Sequence, residues 1–130
     1  MDKIAIFKRY EMDQPQLLPP SLDELIPEQH LVRVINRLIG KMKLDTIESA
    51  YKGGGTSSYH PRMLLKLIVY AYAEKNYSGR QIAKLVRENI HYMWLSGGNQ
   101  PDFRTINRFR SERLKGKIQG VFTEVLEQLI

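Results

Sequence analysis

The residues best placed to do chemistry in this sequence are cations: Arg104, Arg108, Arg110, Arg113, Lys115 and Lys117 stand between Pro101 and Lys117 against only Asp102 and Glu112. At 100° per residue on a helix, Phe103, Ile106 and Phe109 fall on one side. Arg104, Arg108, Ser111 and Lys115 fall on the other, with Thr105 and Asn107 at the margins. The apolar side docks the helix. The other side offers guanidinium, ammonium, hydroxyl and amide groups in a row, starting from the end that carries the positive pole of the helix dipole. Such groups bind phosphate oxygens and base edges, and helix-turn-helix readers of duplex DNA present them in this way. A solvated basic face has the same spacing. The candidate DNA-binding set is therefore Arg104, Thr105, Asn107, Arg108, Ser111 and Lys115. Arg110 and Arg113 lie nearer the apolar side, where structural ion pairs are expected.

Other chemistry has less support. Trp94, beside Tyr92 and Met93, can stack on an unpaired base or plug the end of a helical cluster next to Gly97-Gly98, and the plug is the expected role. Tyr59 and His60 precede a helix start, where they either touch phosphate or cap the helix; a cap is expected. His30, His60 and His91 form no pattern of metal ligands. Gly53 to Gly55 are not a phosphate loop, because no Gly-Lys-Ser/Thr follows at the required spacing. There are no paired carboxylates on an apolar helix and no nucleophile elbow. Asp102 reads as a helix cap and Glu112 as a surface charge. No catalytic, cofactor-binding or metal-binding residue is assigned, and the chain alone is not expected to be an enzyme.

Composition sets the frame for these groups. A chain of 130 residues with 42% hydrophobic and 26% charged side chains suits one globular domain. The absence of cysteine excludes a disulfide scaffold, a thiolate zinc site and a cysteine nucleophile. The longest run free of charged and strongly polar residues, Leu67 to Ala73, is far short of a bilayer span. The N-terminus shows no signal-peptide core, so a soluble, intracellular protein is expected. The net charge of +6 is local. Residues 1–57 carry eight basic and eight acidic side chains, whereas residues 58–130 carry twelve and six. A basic excess confined to one segment points to a polyanionic partner.

The elements that must position the cations read as helices throughout. Residues 1–20 are expected to be extended, ending in Pro15, Pro19 and Pro20, with Ile4 to Phe7 the one stretch that resembles a strand. Ser21 to Glu24 fits a capping box and opens a single turn. From Glu28 to Met42 the residues Leu31, Val34, Ile35, Leu38, Ile39 and Met42 form an amphipathic stripe, with Arg33, Asn36, Arg37 and Lys41 facing outward. A short helix over Leu44 to Tyr51 leads to a flexible hinge, Lys52 to Ser58. Pro61 suits a first helical turn, and Arg62 to Lys75 reads as the central buried helix. Ser78 to Gln81 opens the next helix, with Ile82, Leu85 and Val86 inward. His91 to Leu95 forms an aromatic turn closed by Ser96 to Asn99. Asp102 caps the basic helix, about Phe103 to Leu114. Ile118, Val121, Phe122, Val125, Leu126 and Leu129 mark a final helix whose stripe either docks internally or pairs two chains. The fold class is all-α, with an elaborated helix-turn-helix-like unit in the second half.

Several blocks also carry a family resemblance. Leu18-Pro-Pro-Ser-Leu-Asp-Glu-Leu-Ile-Pro-Glu-Gln-His-Leu-Val-Arg33, Ser58-Tyr-His-Pro-Arg-Met-Leu-Leu-Lys-Leu67, Trp94-Leu-Ser-Gly97 and Pro101-Asp-Phe-Arg-Thr-Ile-Asn-Arg-Phe-Arg110 occur in order. Together they resemble the N-terminal domain of InsH-like transposases of bacterial insertion sequences, in the insertion-sequence-five and related groups, over about residues 15–115. The family's Pro-Asp-x-x-Thr-Ile-x-x-Phe-Arg segment falls on Pro101, Asp102, Thr105, Ile106, Phe109 and Arg110. The resemblance implies a domain at 21–115 that recognises terminal inverted repeats in double-stranded DNA, with residues 116–130 the truncated link to an absent catalytic domain. It also implies that an Asp-Asp-Glu triad and divalent metal ions such as magnesium belong to that absent domain. A cytoplasmic, nucleoid-associated location and no membrane partner follow. Two other functions share these features: a small helix-turn-helix regulator, and an interaction fragment that modulates a full-length transposase or forms homo-oligomers through 118–129.

Overall fold

The computed structural model describes residues 4–13, 15–48 and 59–129, with the side chains of Thr46 and Leu129 left aside. The expected hinge at Lys52 to Ser58 and the end of the short helix after Glu48 lie outside the described residues. Helices α1 (Leu22–Leu25), α2 (Leu31–Lys41), α3 (Asp45–Glu48), α4 (Pro61–Ala73), α5 (Gly79–Glu88), α6 (Ile90–Leu95), α7 (Phe103–Arg108) and α8 (Ile118–Leu129) follow in order. No strand occurs among the described residues, and the fold is all-α. Ile4 to Phe7 is irregular and exposed, so the strand-like pattern there has no ladder partner.

Side-chain caps account for most of the helix starts. Ser21 Oγ accepts from the Glu24 N–H at 3.3 Å and Ser78 Oγ from the Gln81 N–H at 3.3 Å. His30 and His60 do the same work with imidazole: each Nδ1 accepts from the N–H two residues on, at 3.0 Å. His60 is thus a cap in this fold. Asn89 Oδ1 caps α6 through the His91 N–H at 2.9 Å, which turns the expected aromatic turn into a regular helix.

Helix α4 is the centre of the core, with Leu64, Leu65, Leu67, Ile68, Val69, Tyr70 and Ala71 buried. It packs against α2, α5 and α6. On α2 the buried residues are Val32, Ile35 and Ile39, whereas Leu31 is 39% exposed. The inward face is therefore turned toward Val32, and Arg33 does not face outward. Its guanidinium folds back onto α1 and the turn after it. There it donates to Asp23 Oδ1 at 2.8 Å and to the carbonyls of Asp23, Ile26 and Pro27, and it stacks over Trp94 at 5.0 Å. Arg62 plays the matching part at the other end of α2, donating to the Ile39 and Met42 carbonyls at 2.7 Å each and to Glu48 at 3.2 Å. Those carbonyls are the orphan acceptors of a helix C-terminus. Trp94 is half-buried against the core under Arg33, which is the plug expected of it.

The stripe on α8 docks internally. Val121 and Val125 are buried, α8 packs on α2, and Phe122 stacks on Tyr72 with ring centroids 5.7 Å apart. The face that was a candidate for pairing two chains is thus largely covered by this chain's own core, with Leu126 at 54% exposure outside it.

Candidate nucleic-acid interface

Helices α5 and α7 pack directly on each other, with α6 inserted between them in sequence and packed on α5. Asp102 opens α7: its Oδ1 accepts from the Thr105 N–H at 2.8 Å. That N–H, then the Thr105 hydroxyl, hold the Asp102 carboxyl below the usual carboxylate range, and the nearby Arg104 charge adds to the effect. Ile106 and Phe109 are buried and Phe103 is half-buried, so the apolar side anchors the helix as the spacing requires.

The basic helix does not stay α-helical to Leu114. It changes at Phe109–Arg113 into a π-helical turn, which shifts every later side chain around the axis. Arg104 and Arg108 are exposed one turn apart on the α part. Ser111 and Lys115 are also exposed, but they join Asn107 along an open cleft of about 380 Å³ with Tyr72, Arg110 and Leu114. The single row expected from a uniform helix is thus divided into two groups. Thr105 is half-buried with its N–H engaged by Asp102. Asn107 packs over Gly79 at the start of α5, and its Oδ1 accepts from Arg110 Nη2 at 2.5 Å.

Arg110 is structural, as expected, although its partners are neutral oxygens and not carboxylates. It donates to the Tyr72 hydroxyl at 3.1 Å, to the Tyr77 carbonyl and to Asn107. Arg113 is half-buried. Among the described residues, Arg80, Arg104, Arg108 and Lys115 have no carboxylate within 4.0 Å. Arg80 was not in the set read from the sequence. It lies on α5, with its guanidinium 3.9 Å above the Phe103 ring of α7. Its only local signal is a position two residues beyond the Ser78 cap; the contact that fixes it is tertiary.

An Asp-Asp-Glu set for divalent ions needs three converging carboxylates. Among the described residues no three His, Asp or Glu side chains are grouped to hold an ion, so no step is derived through a metal. Among the same residues no helix is long and apolar enough to cross a membrane.

Fold and site together define a small helical domain with exposed guanidinium groups on one packed helix pair. The chain belongs to the family described as Transposase domain (DUF772), whose profile matches residues 20–112. No curated protein and no solved structure gives a significant match.

Proposed function

We propose that this domain binds double-stranded DNA for a transposase, recognising the terminal inverted repeats of its element through α7 in the manner of an elaborated helix-turn-helix, and that it belongs to the InsH-like group. The observation that carries the reading is the pair Arg104 and Arg108. Both are exposed and, among the described residues, have no carboxylate partner, on a helix whose opposite side is anchored by Ile106 and Phe109. Exposed guanidinium groups on an anchored helix suit phosphate oxygens and guanine edges. Membership of a transposase family supplies the reason for DNA. Lys115, Ser111 and the Asn107 amide then serve as flanking contacts from the cleft side. End recognition is assigned to these residues, and no catalytic step is.

The test is fluorescence anisotropy with short duplexes carrying the element's terminal repeats and with scrambled controls, over a range of salt. If about four phosphates are neutralised, log K falls with log salt at a slope of about −3.6. The Arg104→Ala/Arg108→Ala variant is expected to flatten that slope, and the terminal-repeat duplex to bind more tightly than the scrambled one. Salt-independent binding, or none to any duplex, overturns the reading.

A further inference from the structure

Phe103 is shared by two guanidinium groups from different helices. The Arg80 carbon Cζ lies 3.9 Å from the ring centroid and that of Arg104 lies 5.6 Å from it. The two cations are thus no farther apart than the sum of those distances. Both are exposed, and among the described residues neither has a carboxylate within 4.0 Å. The nearest acid in sequence, Asp102, is engaged by the Thr105 N–H. Asp102 lies near enough to interact with the Arg104 charge but is not within ion-pair distance of either guanidinium, so both cations can be shared with a phosphate beside the ring. The ring also fixes the geometry: a guanidinium stacked on an aromatic face has less freedom to lose when it binds.

We propose that Arg80 and Arg104 form a clamp for backbone phosphates of duplex DNA, with Phe103 as the platform that sets their spacing. This rests on the DNA-binding reading above and extends it to α5, which the sequence pattern leaves out of the site. One phosphate-binding group comes from each of two packed helices, so the clamp ties the orientation of α7 on the duplex to the α5–α7 packing. Backbone contacts of this kind position a reading helix without carrying sequence information themselves.

The clamp is tested by salt titration of binding to a fluorescein-labelled duplex of arbitrary sequence, with thermal unfolding as the check on folding. Arg80→Ala and Arg104→Ala are each expected to reduce the magnitude of the log–log slope by about 0.9, and the double variant by about 1.8. Arg80→Lys keeps the charge and loses the planar stack, so it keeps the slope and weakens binding. The slope changes add whether or not Phe103 is present, but the affinity losses of the two Arg→Ala changes at fixed salt are coupled with Phe103 present and become additive in a Phe103→Leu background. An Arg80→Ala variant with the wild-type slope and affinity overturns the clamp alone. A wild-type protein that binds no duplex overturns both the clamp and the reading on which it rests.

Discussion

Asn107 shows how one side chain is committed by a contact that lies far away in sequence. A Cβ placed on Gly79 would stand 2.2 Å from Asn107 Oδ1 and 2.9 Å from its Cγ, so only a hydrogen fits at the start of α5. Asn107 settles there, and its oxygen accepts from Arg110 Nη2. The NH2 group is then the part of this amide left to meet an outside acceptor. Gly79→Ala drives Asn107 off this position and breaks the Arg110 bond. The displaced atoms end an exposed side chain, so the cost is mainly that of the hydrogen bond to charged Arg110, about 1.5–3 kcal/mol. The helix propensity gained on replacing glycine returns up to about 1 kcal/mol. A net destabilisation of about 1 kcal/mol is expected in urea unfolding. Asn107→Ala in the same chain removes the collision, so the two changes together cost less than the sum of their separate effects. Additive effects would mean that the two residues do not meet.

Among the elements, α8 separates the two roles that its apolar stripe allowed. Val125 is 3% exposed against α2, whereas Leu126 stands 54% exposed one position on. If the stripe serves this chain's own core, Val125→Asp buries an unpaired carboxylate and destabilises by several kcal/mol. Leu126→Asp then changes stability by less than about 0.5 kcal/mol and leaves the particle size unaltered. A size change with Leu126→Asp would instead give the helix to a partner. The two roles are the same in sequence, because a heptad-like stripe does not say which surface covers it. Where burial follows helical period the sequence is legible: the central position of α4, the anchored side of α7 and the caps at Ser21, Ser78 and Asp102 all follow from local rules. The misses are long-range. Arg33 has the spacing of an outward residue and is drawn back by carbonyls and Asp23 across the α1–α2 turn. The π turn at Phe109–Arg113 has no composition signal, and it accompanies Arg110 reaching Tyr72 and Tyr77, side chain and carbonyl, on a different part of the chain. Arg80 joins the site only because α5 packs on α7.

At the scale of the whole molecule, the halves before and after the α4–α5 turn are joined by two buried tyrosines that meet on the exposed Glu74 carboxylate, and their protonation sets an alkaline limit to stability. Tyr70 on α4 and Tyr92 on α6 are 1% and 0% exposed, with rings 5.0 Å apart. Both hydroxyls donate to the Glu74 carboxylate, at 3.1 and 2.6 Å. Asn76 Nδ2 in turn donates to the Tyr92 oxygen at 3.4 Å. Burial is the main cause that pushes both phenols up from their ordinary value of 10.0, and Glu74 pushes in the same direction. The sign follows from proton counts. Above about pH 10 the unfolded chain releases both phenolic protons while the folded chain keeps them, so stability falls as pH rises through the folded values. Each such group contributes a little over 1 kcal/mol per pH unit, giving a slope of about −3 kcal/mol per unit for the pair. Urea midpoints measured between pH 9 and 11, converted to free energies, are expected to fall with that steepness only at the upper end, because burial lowers Lys66 and its titration works in the opposite direction at the lower end. Tyr92→Phe removes one of the two protons from the balance and halves the slope. Glu74→Gln removes the carboxylate but not the burial, so the fall still begins near pH 10 and ends at a lower pH than in the wild-type protein. An unchanged slope in Tyr92→Phe would show that the alkaline limit is set by groups other than this pair.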